Sequence, residues 1–276
     1  MLMILLICVF VFYLIKVVNM CEIFGISSQK PKKINRELTE LFSHSIDHPN
    51  GWGLALLDRD NYSVEKEPVK AVTSKYLKAR LQEPIIVNTA LAHIRLATVG
   101  NMEWKNCHPF VGSDKTGRQW TLVHNGTIFE MEEIHKYSKV QKGETDSECI
   151  LFYLLDLINE EIDTKGRELT DEERFKVVDN LVIRSSPQNK LNLLIYDGET
   201  LYAHTNYQNS LFRRNVDKCV YISTQPLTSD EWEVLPFTQL IAYQQGVLKF
   251  VGTNHGSEYI YDQRSMNQLM LTYAGL

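Results

Sequence analysis

Residues 20–27 read Met20-Cys21-Glu22-Ile23-Phe24-Gly25-Ile26-Ser27. From Cys21 onward the side chains alternate with the period of two that marks a strand. A cysteine stands at the head of that strand, directly behind a methionine. If Met20 is the initiator, its removal is expected, because cysteine is a small second residue. Cys21 then carries a free α-amino group. A thiol attacks as its thiolate and needs a base or a lowered pKa. An α-amine, which ordinarily titrates at about 7.7–8.0, can take that proton directly or through a water. The same residue also has a plainer reading, as an ordinary strand cysteine, since cysteines are often buried.

Upstream, residues 1–20 are MLMILLICVFVFYLIKVVNM, apolar through Ile15 and interrupted by Lys16. A membrane-spanning helix needs about 20 such residues. The segment has no basic start and no A-x-A-like cleavage site, and no small residue precedes Cys21 as a lipoprotein site would require. The preferred reading makes these codons a mis-assigned start. A membrane anchor comes second and a cleaved signal third. The segment is set apart from residues 21–276, which are read as one domain with a C-terminal tail. No pattern is visible in that tail from Thr253 onward, and it is assigned no role. The whole chain of 276 residues is long enough for a sizeable core. It is 44% apolar and 23% charged, which excludes disorder and coiled coil. Lys and Arg number 29 against 34 Asp and Glu, a net charge of -5 that argues against a general nucleic-acid binder. Five cysteines without a C-x-x-C argue against a disulfide framework and a zinc ribbon.

Downstream, Ile34, Leu38, Leu41 and Phe42 share one face of a helix over 34–46. Gly51 to Leu57 and Ile85 to Ile94 read as buried strands. Trp120 to His124 reads as a strand running into a turn at Asn125-Gly126. Thr145-Asp146-Ser147-Glu148 reads as a capping box. It opens a helix from Cys149 to Ile162, apolar nearly all round and so expected between layers. A further amphipathic helix is expected over Asp171 to Ile183. The remainder is strand-like: 191–196, 200–204, 219–224, 240–243 and 247–251, with Asp197-Gly198 as a hairpin turn. No internal repeat or low-complexity linker is visible. Many strands with hairpin-length links and a few helices imply an α+β layered architecture.

Five short motifs carry chemistry: Met20 to Gly25, Ala92-His93-Ile94-Arg95-Leu96-Ala97-Thr98, Asn106-Cys107-His108-Pro109-Phe110, His124-Asn125-Gly126-Thr127-Ile128, and Gly143 to Glu148. Each is common when taken alone. In this order and spacing the set resembles the class II glutamine amidotransferases of the N-terminal-nucleophile hydrolase superfamily. Gly51-Trp52-Gly53 and Thr224-Gln225-Pro226-Leu227 point to the stand-alone YafJ-type members. The resemblance covers most of residues 21–251. It implies a four-layer αββα sandwich, which composition and periodicity alone do not.

The resemblance also implies roles. Cys21 is the nucleophile. The Asn125 side chain and the Gly126 backbone N–H form an oxyanion hole, against the plainer reading of a tight turn. Arg95 holds the α-carboxylate of glutamine in its planar fork, against an internal ion pair. Asp146 binds the α-amino group, against simple compensation of the helix dipole. Thr98 lines the same pocket and His108 helps shape it. Leu96 and Val99 stand where family members often carry Trp and His, so finer pocket contacts do not transfer. Trp52 reads as core, and Cys107, Cys149 and Cys219 as structural.

The expected reaction is release of ammonia from glutamine through a γ-glutamyl thioester, with no metal or organic cofactor. Nothing after about residue 255 is long enough for a synthase domain, so a separate synthase or acceptor subunit is one expected partner. Two alternatives stay open. One is a γ-glutamyl amide or peptide hydrolase acting on a glutathione- or ergothioneine-type compound. The other is an inactive scaffold, should Cys21 not be N-terminal. A papain-type Cys-His enzyme is disfavoured, because neither Cys107-His108 nor Cys149 stands in a motif of that family. The expected location is cytoplasmic, or membrane-anchored if residues 1–20 are genuine and retained.

Overall fold

Strand β1, Glu22–Lys33, pairs antiparallel on both sides, with β10 (Cys219–Ser223) and with β4 (Ile86–Ile94). The computed structural model describes residues 21–97, 100–264 and 267. Residues 1–20 and Thr98 therefore lie outside the described residues. Beyond β4 come β2 (Trp52–Asp58) and β3 (Asn61–Glu67). Beyond β10 come β9 (Phe212–Asn215) and β11 (Glu233–Val234), giving the order β11-β9-β10-β1-β4-β2-β3. The second sheet contains β5 (Phe110–Ser113), β6 (Gln119–Thr127), β7 (Lys190–Tyr196), β8 (Thr200–His204), β12 (Ile241–Gln244) and β13 (Val247–Val251). Its order is β13-β12-β8-β7-β6-β5.

Three apolar layers separate four structural ones. Ile23, Leu91, Val123, Leu194, Ala203 and Ile222 pack between the two sheets. Phe24, Ile26, Leu54, Ala92 and Ile94 point the other way, onto α1 (Asn35–Ser43) and α2 (Lys75–Arg80). Trp120, Leu122, Leu191 and Leu193 pack under α3 (Glu132–His135), α4 (Asp146–Lys165) and α5 (Asp171–Ser185). The arrangement is the four-layer αββα sandwich that the resemblance implies. Neighbouring strand residues alternate between faces, so parity assigns each polar residue to a layer. Asn125 and Lys190 share the inward face with Val123 and Leu194, and Glu22 shares the outward face with Phe24.

Several local expectations change. Asn125-Gly126 is not a turn: β6 runs through it to Thr127, with Asn125 opposite Asn192 and Gly126 opposite Leu191. Turn-forming chemistry here is overridden by pairing along the whole of β7. The capping box at Thr145 is only half made. The Thr145 hydroxyl accepts from the Glu148 amide, but the Glu148 carboxylate accepts from the Lys142 and Gly143 amides instead. The complete box lies at Thr170 and Glu173, the start of α5. Helix α4 is an outer layer rather than an interlayer element, and α3 and α5 cover its flanks. Within the tail Tyr259 is docked: its amide donates to the Asn206 carbonyl at 2.7 Å and its ring is buried. Strands β3, β5, β9 and β11 had no clear sequence signal, being short, polar or at a sheet edge.

Candidate active site

Cys21 stands at the mouth of the inter-sheet layer, half-buried, at the leading end of β1. The leading end of this strand is tied down on several sides. The Ile23 amide donates to Thr224 Oγ1 at 2.8 Å, and the Ile23 carbonyl accepts from the Thr224 amide at 3.1 Å. The buried Glu22 carboxylate accepts from Gln225 Nε2 at 2.7 Å and meets His44 Nδ1 at 2.9 Å. The Thr224-Gln225 dipeptide is thus a clamp on the first strand. Among the described residues the thiol is held by Leu96: Sγ donates to the Leu96 carbonyl and accepts from the Leu96 amide, both at 3.3 Å. Burial pushes the Cys21 thiol up, and the Leu96 amide, Arg95 and Lys190 oppose that shift.

Arg95 follows the last residue of β4 and is 3% exposed. Its Nη1 donates to the Asn101 carbonyl at 2.9 Å and its Nη2 to the Gly100 carbonyl at 3.0 Å. That loop is stapled from below. Buried Asn106 donates from Nδ2 to the Asn101 carbonyl and to Glu144 Oε2, and accepts from the Glu144 amide. The Glu144 carboxylate in turn accepts from the Asn101 amide at 2.8 Å. Asn106 of one sequence motif and Glu144 of another therefore fix the frame around Arg95.

Across the layer, β6 presents Asn125 and Gly126. A Cβ at Gly126 would land on the Lys190 carbonyl oxygen and on the His124 ring. Glycine is required for close approach of backbone and ring, not for an unusual φ. Buried His124 packs on the α4 side, with Nε2 3.1 Å from the Lys190 carbonyl and Nδ1 3.0 Å from Ser147 Oγ. A carbonyl accepts only, so Nε2 carries the proton, and in the neutral ring Nδ1 is an acceptor; the Ser147 hydroxyl that it faces also donates to Asp146 Oδ1 at 3.2 Å. Burial holds His124 below its ordinary pKa, in keeping with that neutral ring. Asp146, in the first turn of α4, accepts the Ile128 amide at 2.8 Å and so binds the end of β6 to the helix.

The sequence-derived residues fall into two adjoining groups. Cys21, Leu96 and Arg95 form one, and Asn125, Gly126 and Asp146 form the other. His108 stands behind them, its ring centroid 4.1 Å from that of His93 and 4.7 Å from that of Phe110. Its backbone is pressed against β2, where a Cβ on Gly53 would strike the His108 carbonyl. Burial lowers both His93 and His108 well below the ordinary imidazole range, so this pair packs as neutral rings. Lys190 was not anticipated. It is 3% exposed, its Nζ donates to Asn125 Oδ1 at 3.4 Å, and it lies 4.9 Å over the Tyr207 ring. A lysine opening an apolar strand run was the available signal. Among the described residues no group of His, Cys, Asp or Glu is arranged to hold a metal. A cleft of about 490 Å³ beside Leu57, Arg59, Tyr62, Arg118, Tyr196 and Glu199 opens at the far end of the strands. It is remote from Cys21, because Trp52, not Leu57, is the β2 residue that shares Ile94 with Glu22.

The family model for class II glutamine amidotransferases matches residues 20–216, spanning β1, the Arg95 loop, β6 and α4. The chain belongs to the class II glutamine amidotransferases. Among curated relatives, the putative glutamine amidotransferase YafJ of Escherichia coli is 28% identical, over 78% of this chain and 93% of its own. An uncharacterised protein of Methanocaldococcus jannaschii is 27% identical, over 91% of this chain and 74% of its own. Among solved structures, a predicted glutamine amidotransferase from Pseudomonas aeruginosa superposes with a TM-score of 0.59 at 20% identity, covering 83% of this chain and 99% of that one. At that identity the likeness speaks for the fold alone. Among the described residues of this class II amidotransferase, no helix is long and apolar enough to cross a membrane.

Proposed function

We propose that the chain hydrolyses the side-chain amide of glutamine with Cys21 as an N-terminal nucleophile. The observation that carries the reading is the seat of the thiol. Sγ lies 3.3 Å from both the amide and the carbonyl of Leu96, next to Arg95 and facing the strand that bears Asn125. On ionisation the Leu96 N–H remains as a donor to the thiolate, while the contact with the carbonyl loses its proton and presses the sulfur outward.

The free α-amine takes the thiol proton, and sulfur adds to the amide carbon. The negative charge collects on the former carbonyl oxygen, where the Asn125 carboxamide and the Gly126 N–H donate to it. Collapse expels ammonia, which leaves with the proton carried by the α-ammonium, and a γ-glutamyl thioester remains. Water, deprotonated by the same amine, adds to the thioester and releases glutamate and the thiol. Arg95 and Asp146 read the α-carboxylate and α-ammonium of the substrate, one fixed charge for each end of an α-amino acid. Thr98, outside the described residues, keeps the pocket role that the resemblance implies, and His108 shapes the site.

The test has two arms. Intact-mass and N-terminal sequencing of the mature protein should find Cys21 as the first residue. Glutaminase activity should vanish in Cys21→Ala and after treatment with a glutamine-analogue alkylator. Full turnover by Cys21→Ala, or by protein that retains residues 1–20, would sink the scheme. Comparing glutamine with γ-glutamyl peptides and amides assigns the physiological amide. Glutamine is expected to give the highest kcat/KM.

A further inference from the structure

The register of β6 and β7 sets Asn125 opposite Asn192, which makes Lys190 the diagonal neighbour of Asn125 on the same inward face. Asn192 is committed elsewhere: its Nδ2 donates to Ser210 Oγ at 2.8 Å and its Oδ1 accepts from Thr205 Oγ1 at 2.8 Å. Lys190 Nζ reaches Asn125 Oδ1 instead, at 3.4 Å. The titratable group that faces this amine is Cys21 from the head of β1, with the Tyr207 ring below it, while His124 lies on the opposite face of β6. None of its partners among the described residues is a carboxylate. A buried ammonium without an anion is costly, and a negative charge formed at Cys21 would offset that cost.

We infer that Lys190 is a positioning residue for the oxyanion donor: its ammonium binds Asn125 Oδ1, turns the carboxamide NH₂ toward the reacting carbonyl, and places a positive charge beside the anion formed at Cys21. The inference rests on the reading of Cys21 as nucleophile. Its logic is one of donors and acceptors. An ammonium has three donors and no acceptor, so it selects the oxygen end of the Asn125 amide and excludes the flipped orientation, which would aim an oxygen at the oxyanion. Burial brings the Lys190 amine down to about 7, and a negative charge on Cys21 raises it again. The cation is thus favoured when the thiolate or the oxyanion is present. The cost of burying the amine is carried by the resting protein, which is the pattern of a residue kept for chemistry rather than for stability.

The experiment uses the mature full chain and four variants: Lys190→Met, Lys190→Gln, Asn125→Ala and the double variant Lys190→Met with Asn125→Ala. Lys190→Met and Lys190→Gln are each expected to lower kcat for glutamine by roughly 10- to 100-fold, below the 10²–10³ typical of deleting a donor outright, with KM changed less than about twofold. Thiol alkylation by iodoacetamide should need a higher pH in both. Their Tm at pH 7 should equal or exceed that of the parent, because a buried charge is removed. In the Asn125→Ala background, Lys190→Met should cost little further, since the two residues act as a unit. Unchanged kcat in Lys190→Met, or fully additive losses in the double variant, would overturn the inference. Unfolding of both single variants would do the same, by marking Lys190 as a structural strut. Cys21→Ala is run alongside: if it keeps its activity the nucleophile assignment itself fails, whereas a dead Cys21→Ala beside a fully active Lys190→Met refutes the lysine alone.

Discussion

Ile23 and Thr224 exchange two backbone-anchored hydrogen bonds, amide to hydroxyl at 2.8 Å and amide to carbonyl at 3.1 Å, two residues downstream of the thiol. The pair joins the head of β1 to the residue that follows β10. It fixes the strand that places Sγ against Leu96. Thr224→Val keeps the shape and removes the hydroxyl acceptor. It is expected to cost about 1–2 kcal/mol of stability and to lower kcat more than it raises KM, because the nucleophile loses its fixed position. Denaturant unfolding and steady-state kinetics check both parts. An unchanged kcat would show that β1 is held adequately by its sheet neighbours alone.

Gly126→Ala tests the crowding at β6, the strand proposed to carry the oxyanion donors. The added methyl meets the Lys190 carbonyl and the His124 ring, so β6 and β7 must separate or the ring must move. Overpacking of this kind typically costs about 1–3 kcal/mol. Loss of at least 10²-fold in kcat is expected as the Gly126 N–H shifts away from its target. A crystal structure of the variant with His124 displaced from Ser147 would complete the test.

Glu144→Gln probes the frame around Arg95. The carboxylate accepts from the Asn101 amide and from Asn106, and these bonds hold it below the usual carboxylate range. A depressed folded pKa stabilises above the unfolded value of about 4.3 and is lost as pH falls through the folded value. The variant should raise KM for glutamine with a smaller change in kcat, since the loop that positions Arg95 slackens while the thiol does not move. A kcat effect without a KM effect would argue against Arg95 as the carboxylate clamp.

His44 supplies a pH signature. Its hydrogen bond to the buried Glu22 carboxylate, aided by Glu40, raises its pKa above the ordinary 6.5 despite some loss from burial. A raised folded pKa gives stability that is fully present below the unfolded pKa and disappears as pH rises through the folded one. His44→Gln should therefore lower Tm more at pH 5.5 than at pH 9. Equal shifts at both pH values would mean that the imidazole acts there as a neutral hydrogen-bonding group only.

Much of the architecture was legible because it is written in local periods. The alternation in residues 21–27 and the helical faces of 34–46 and 171–183 are set by which side chains avoid water, and each is recovered within about a residue or two at one end. Errors gathered where local chemistry competes with pairing. Asn125-Gly126 has the composition of a turn and is held extended by Leu191 and Asn192. Glu148 stands at the N3 position and turns aside to the amides of Lys142 and Gly143. Both outcomes depend on partners that a short window does not contain.

By itself the sequence determined the strand with Cys21 at its head, the alternating faces of the core, and the order of motifs that marks the family. It could not determine the links that make those motifs one site. Lys190 meets Asn125 across 65 positions and Gln225 meets Glu22 across 203. Such contacts follow from the register of one strand on the next and from the closing of two sheets face to face. A side chain's face is a local matter of period, whereas its neighbour on that face is decided only when the strands align.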